Sequence, residues 1–524
     1  MGRPLWRSSK CTTCRARKVK CDEARPVCRS CRRAGVKCEW RYGDSFVYLP
    51  TTAKHTSGSM VVRDSVSGQL PDLLDYCTLA GSDQYRLGIH PSMGRLYEVQ
   101  ILSSFLSEYI PQEAVRGAIV AGHQTFSWFE SLPDQQGKRR LMDISLATLS
   151  LFFLGTKYGD PNALYCSQIY YNYLMREIQG LQHSNEDLIG IAAILSIHGI
   201  YNSSHQDNSW MIHVRSACKL LEERGPYNPV DKRLFCLIRT SAVYDACGQR
   251  KSTFMSRPEW RALAPKDEPF EQILNIYTFL PSLQELRDRI CDAADHPEVL
   301  VPLREEFLCI FTQAYTQFRQ GYRYLLGCRE ELPFRTRTAV PNDLLLLQER
   351  PDLADVFPEV IEFTDQYTFQ IILLCWTGFF IMYWEASEVM RILDTDFGDA
   401  QFSRSPPHTT PGCHARIDED ECRLTCWPSQ PDQQIETTVR EVEALATIFA
   451  TRICQAMSFC DKYPFGSALK LPSLSPLWIV QQFFHGRSDR RWLWCKTVLH
   501  SFPSRSVGFG YILSNMSFQE YKTI

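Results

Sequence analysis

Cysteines at positions 11, 14, 21, 28, 31 and 38 fall at the intervals C-x2-C-x6-C-x6-C-x2-C-x6-C, one half-pattern written twice. Each C-x2-C pair can set two sulfurs on one tetrahedral metal, with the first turn of a following helix running away from the site. Soft thiolates in tetrahedral geometry select zinc over magnesium or calcium. Two separate four-sulfur sites need eight ligand positions, so six thiolates close both only if two sulfurs each bridge the metals. The symmetric choice of bridges is the leading cysteine of each half, Cys11 and Cys28. Two zinc ions leave the six thiolates with a small net negative charge, whereas unmetallated thiolates would repel one another as they deprotonated. Metal also stands in for a core. Val19, Val27 and Val36 are almost the only aliphatic side chains of any size in this stretch, too few for hydrophobic burial to fold it.

The same stretch is strongly cationic. Residues 1–38 carry twelve Lys or Arg against Asp22 and Glu23, a formal +10 within a 524-residue chain whose net charge is -2. The remainder is therefore at -12, and a basic head is carried on an acidic body. Charge of that kind, concentrated on a small module, suits a polyanion. The run "RARKVK", residues 15–20, also has the charge density of a nuclear localisation signal.

Position by position through residues 11–38, the chain resembles the fungal zinc binuclear cluster (Zn2Cys6) family of transcription factors. "CRARKVKC" looks like that family's basic first helix, and "CDEARPVC" like its connecting loop, with Pro26 at the turn. The expected module has six ligands, Cys11, Cys14, Cys21, Cys28, Cys31 and Cys38, holding two Zn2+. Short helices are expected over Thr12–Lys20 and Arg29–Ala34, with Gly35 stopping the second. The resemblance implies that the end of the first helix enters the major groove and that Lys18 reads a CGG triplet, with Arg17 alongside. Lys and Arg donors match the O6 and N7 acceptors of guanine. Arg15, Lys20, Arg25, Arg29, Arg32 and Arg33 are assigned to phosphates, where they supply affinity and register without sequence information.

Three segments must position this chemistry. Residues 1–42 form the zinc module. Residues 43–92, rich in Gly, Ser, Thr and Pro and without helical period, read as a flexible linker. No heptad repeat is sustained there, so dimerisation through a coiled coil is not expected. Residues 93–524 read as a large all-α regulatory domain, because apolar residues recur at helical spacing in "LYEVQILSSFLSEYI", "RRLMDISLATLSLFFLG", "LYCSQIYYNYLMREIQGL" and "EDLIGIAAILSIHGIY". Ser184 to Asp187 opens one of these helices and "ERGP", ending at Pro226, closes another. The order of elements resembles the fungal-specific regulatory domain of many such factors, carried by Trp210, His213, Ala217, Leu220, Leu221 and Arg224–Pro226, with Ser216 departing from its usual glycine. Trp210 and His213 share a helix face and are expected to be packed.

Other chemistry is not evident. The sequence has no GxGxxG after a strand, no phosphate-binding GKS/T loop, no HExxH and no GxSxG, so no enzyme is expected. His408, Cys413, His414, Cys422 and Cys426 match no common zinc spacing and lie in an irregular loop near 403–434. "IDEDECRLTCW", residues 417–427, and "DLADVFPEVIEFTD", residues 352–365, have the acidic-apolar composition of activation segments. "FQIILLCWTGFFIMYW", residues 369–384, is short for a membrane span and reads as a buried core helix. No secretory signal is readable in the first forty residues. The combined expectation is a nuclear, sequence-specific transcription regulator, a pathway-specific activator of a biosynthetic gene cluster. A ligand-responsive repressor or sensor, or an enzyme fused to a DNA-targeting module, is the alternative. Its expected partners are double-stranded DNA, the transcription machinery and a small-molecule effector, with no membrane.

Overall fold

A computed structural model of the chain describes residues 13–14, 17–22 and 28–38 near the N-terminus. From there on it describes residues 92–110, 139–179, 186–202, 209–327, 332–340, 350–393, 438–461, 471–501 and 515–523, with a few single positions between them. The chain divides into two compact units, Met1–Gln69 and Leu70–Ile524. Cys11, Arg15, Arg25, almost all of the expected linker, the loop near 403–434 and the acidic stretch 417–427 lie outside the described residues.

Among the described residues of the first unit, the helix with both ends described is α1 (Arg29–Arg33). The second unit begins with α2 (Ser92–Tyr109), α3 (Arg140–Tyr158), α4 (Pro161–Gln179), α5 (Glu186–Asn202) and α6 (Ser209–Arg224), which match the four periodic stretches and the stop at "ERGP". Gly225 ends α6 at φ +83, a conformation that a residue without Cβ adopts freely. This layer is knitted by aromatic rings: Phe105 and Tyr109 of α2 stack at 4.9 Å and meet Phe153 and Tyr201 edge-on. As expected, Trp210 and His213 of α6 are buried, and His213 Nε2 lies 3.2 Å from the Tyr171 hydroxyl. His198 stacks on the same tyrosine, and burial, with His213 nearby, lowers its pKa to about 3.

The chain continues through α7 (Lys232–Gln249), α8 (Pro258–Arg261), α9 (Pro269–Tyr277), α10 (Leu280–Asp292) and α11 (Pro297–Gly327) to α12 (Gln366–Leu393), then α13 (Val439–Asp461), α14 (Leu471–Phe484), α15 (Asp489–Ser501) and α16 (Phe518–Thr523). The centre is α12, buried from Gln366 to Met390 except at Tyr367 and Glu388, with α13, α10, α9, α11 and α14 packed around it. It has the length and composition of a membrane span, yet its whole apolar window is enclosed by the body, as a core helix requires. Close approach of α11 depends on Gly378, where an added Cβ would lie 2.5 Å from the Phe318 ring.

The predominantly helical body also carries one short two-stranded sheet. Strands β1 (Phe334–Thr338) and β2 (Glu359–Phe363) pair antiparallel, Phe334 opposite Phe363 and Thr338 opposite Glu359. Five residues of "EVIEF" give too short an alternation to stand out in sequence. The strand is held by burial of Val360, Ile361 and Phe363, the last against Phe459 of α13 at 5.3 Å. The segment 352–365 is therefore anchored to the body by its apolar residues, with Leu353 and Phe357 also buried, while Asp352, Asp355, Glu359 and Asp365 stay exposed.

Two buried arginines of the body are paired with carboxylates. Arg239 of α7 donates to Glu271 of α9, both side chains fully enclosed. Arg250, just past α7, forks onto Glu385 at 2.8 and 2.9 Å and also reaches Asp288. Burial disfavours the Arg250 charge, and these two carboxylates more than restore it.

Candidate metal centre and nucleic-acid interface

Among the described residues, the head folds its cysteines inward and its cations outward. Cys14, Cys28 and Cys31 are fully buried and Cys21 nearly so, while Arg17, Lys18, Lys20, Arg29, Arg32 and Arg33 are exposed. The Cys14 Sγ lies 3.5 Å from Cys28 Sγ and 3.7 Å from Cys31 Sγ. Two sulfurs bound to one zinc at about 2.3 Å in tetrahedral geometry are about 3.8 Å apart, so this spacing fits a shared metal. A second group joins Cys28 to Cys21 and Asp22. Cys28 thus stands in both groups. The half-buried Cys38 turns its sulfur to the Cys28 backbone N–H, at 3.4 Å. The donor set is all soft sulfur apart from Asp22, which suits zinc.

Local electrostatics favour thiolate at the shared position. Burial pushes the Cys28 thiol up. The Cys31 backbone N–H, donating to Cys28 Sγ at 3.3 Å, and bonds from the Cys31, Cys14 and Cys21 side chains together bring it below the ordinary range. A thiolate is the form that ligates metal.

The two halves repeat in backbone as well as in sequence. Val19 N–H donates to Cys14 C=O at 3.1 Å, and seventeen residues later Val36 N–H donates to Cys31 C=O at 3.2 Å. Each bond spans a residue in the left-handed region: Lys18 at φ 53 and Gly35 at φ 63. This is the closing geometry of a helix end. The first helix, expected over Thr12–Lys20, therefore does not reach Lys20: Thr13 and Cys14 are helical, whereas Arg17 and Lys18 form a turn whose left-handed residue sends Val19 and Lys20 out of helical register. The second ends at Arg33, with Ala34 as its C-cap.

Three polar ties lock the halves together. Thr13 Oγ1 donates to Lys37 C=O at 2.9 Å, Ser30 Oγ to Lys20 C=O at 2.7 Å, and Arg29 N–H to Asp22 Oδ1 at 2.8 Å. Sequence reasoning did not find Thr13, Ser30 or Asp22. Their one signal is position beside a cysteine, which many residues share. Arg29, with its side chain 81% exposed, lies 3.8 Å from Asp22, so this cation is partly engaged within the head.

The profile of the fungal Zn(2)-Cys(6) binuclear cluster domain matches residues 10–44. Among curated proteins, the Zn(2)-C6 fungal-type transcription factor afumD of Aspergillus fumigatus is 68% identical over 28 residues, 5% of this chain and 8% of that protein. Transcription factor sphG of the same organism is 53% identical over 46 residues, 9% of this chain and 6% of its own length. Transcription factor FUP7 of Fusarium proliferatum is 57% identical over 30 residues, 6% of this chain and 12% of its own length. The chain thus covers only a small fraction of each relative, and none of the three likenesses extends beyond 46 residues. No solved structure matches the chain. With the profile, the relatives and the sulfur geometry agreeing, the N-terminal segment is a fungal Zn(2)-Cys(6) binuclear cluster domain, a module that binds two zinc ions, followed by a predominantly helical body.

Proposed function

We propose that the chain is a nuclear DNA-binding transcription regulator whose zinc head reads a CGG-type triplet in the major groove. The observation that carries this reading is the division of the head into a buried sulfur cluster and an exposed cationic surface. Lys18, at the outward left-handed turn, supplies the base contact with Arg17 beside it. Lys20, Arg29, Arg32 and Arg33, together with Arg15 and Arg25, hold phosphates. Zinc is structural here: it replaces the hydrophobic core that the head lacks. Cys11, Cys14, Cys21, Cys28, Cys31 and Cys38 are the six ligands, with Cys11 and Cys28 bridging. The relatives are all named as transcription factors, which supports the regulatory role. The helical body carries control, and the finer reading is a pathway-specific activator of a biosynthetic gene cluster.

The test is zinc stoichiometry on the full chain combined with selection of bound duplexes from a random pool, with and without chelator. Two zinc ions per chain and an enriched CGG-type triplet lost on chelation are expected. One zinc ion, or binding without sequence preference, overturns the reading and leaves the head as a nonspecific polyanion-binding segment.

A further inference from the structure

The short helix α16 lies on the body as a ligand lies in a site. Tyr521 is buried, its hydroxyl donates to Asp245 Oδ1 at 3.0 Å, and its ring lies 5.0 Å from Trp478. Beneath it α7 presents Gly248, where an added Cβ would come within 2.6 Å of the Tyr521 ring, so the notch is shaped to this aromatic. One turn earlier, Phe518 packs against Trp478 at 4.9 Å and Trp384 at 6.1 Å, under the Arg250 guanidinium at 5.2 Å. Lys522 reaches Asp288 Oδ2 at 2.7 Å. An aromatic anchor in a fitted notch, flanked by an opposite-charge pair, is the anatomy of an interface hot spot.

The carboxylates that grip α16 do not depend on it. Asp245 is also held by Arg215 through two bonds of 3.1 Å, and by Gln249. Asp288 is also held by Arg250 at 3.0 Å and Arg287 at 3.1 Å. Lifting α16 therefore leaves neither carboxylate buried without a counter-charge, a cost that would otherwise tie the helix to the fold. What is uncovered is a glycine notch and an aromatic floor edged by two acids.

We propose that this groove, formed by α7, α10, α12 and α14, is a docking site for a helical peptide turn, and that α16 closes it in cis as a releasable latch. The accepted turn carries aromatic residues at i and i+3 and a basic residue at i+4, the pattern that Phe518, Tyr521 and Lys522 display. A partner segment of this chemistry competes with the latch, and binding is coupled to latch release. The inference is independent of the DNA-binding reading.

The test uses the full zinc-loaded chain and a fluorescein-labelled peptide of residues 513–524 as probe, read by anisotropy. In the Phe518→Ala/Tyr521→Ala chain the groove is empty and the peptide binds saturably. In the wild type the tethered latch competes at high effective concentration, and binding is weaker by roughly tenfold or more. Adding Gly248→Leu to the emptied chain abolishes binding, as does replacing Tyr521 by Ala within the peptide. Failure of the emptied chain to bind, with its helical circular dichroism intact, overturns the proposal. Loss of cooperative folding in that chain also overturns it, because the latch would then be part of the core. Hydrogen exchange on the wild type gives a reading free of mutation: the Tyr521 amide, bonded to Ser517 C=O, exchanges through local opening faster than the amides of α12. Exchange of both only through global unfolding refutes a releasable latch.

Discussion

Replacing Lys18 with glycine separates what this residue does for the fold from what it does for recognition. Lys18 sits at φ 53, where its symmetry mate is Gly35 at φ 63. A residue with a Cβ gives up about 1–2 kcal/mol in the left-handed region, and glycine does not. Glycine loses roughly 0.5–1 kcal/mol of this through its freer unfolded chain, so Lys18→Gly is expected to leave the head as stable as before or slightly more so. Zinc binding supplies about 10–16 kcal/mol to folding of such modules, which makes loss of the fold an implausible outcome. Recognition moves the other way: a good base contact carries about 1–3 kcal/mol of discrimination, so preference for the cognate triplet falls roughly 5- to 150-fold. Lys18→Ala loses the same preference without relieving the backbone, and separates the two effects. The assay is competition between cognate and triplet-scrambled duplexes at one salt concentration, with zinc content and melting temperature measured on the same samples. Unchanged preference in both variants would refute the assignment of Lys18 to base edges. A head destabilised by glycine would refute the strain argument.

Arg32→Ala and Arg33→Ala are expected to weaken binding to all duplexes alike and to lower the slope of log affinity against log salt by about 1 each, measured by titration at several salt concentrations. Glu268 is buried at the start of α9, where burial pushes its carboxyl from the ordinary 4.5 to about 7 against hydrogen bonds from Tyr367 and the Glu271 backbone. The fold therefore holds this proton more tightly than the unfolded chain does. The stability it contributes is full below pH 4.5 and is lost as pH rises through 7. Glu268→Gln should flatten that fall and raise the melting temperature at pH 8, as urea or thermal melts across pH 5–8 would register. Arg239→Met strands the enclosed Glu271 carboxylate and is expected to cost about 3–5 kcal/mol in urea denaturation, whereas the double change Arg239→Met/Glu271→Leu recovers much of the loss.

The zinc centre was legible because its ligands are local: six cysteines at repeated intervals within twenty-eight positions leave few ways to arrange sulfur around metal. The same locality made the early helices readable, since the long apolar segments that become α3 and α5 are continuous in the chain. The turn at Lys18 was hidden, because lysine gives no sign of positive φ. Only the matching bonds to Cys14 and Cys31 expose the pairing with Gly35. Strand β2 was hidden in an acidic stretch whose few apolar residues look like solvated surface until α13 covers them.

Residue types and their spacing were enough to name the metal, the charge of the surface around it and the helical character of the body, because ligation, net charge and periodicity are properties of neighbours in the chain. Contacts between distant segments could be decided only by folding. Tyr521 meets Asp245 across 276 positions, and Arg250 meets Glu385 across 135. Which glycine becomes a notch, and which carboxylate becomes a grip, depends on how helices pack, and packing is set by the shapes of all the side chains at once.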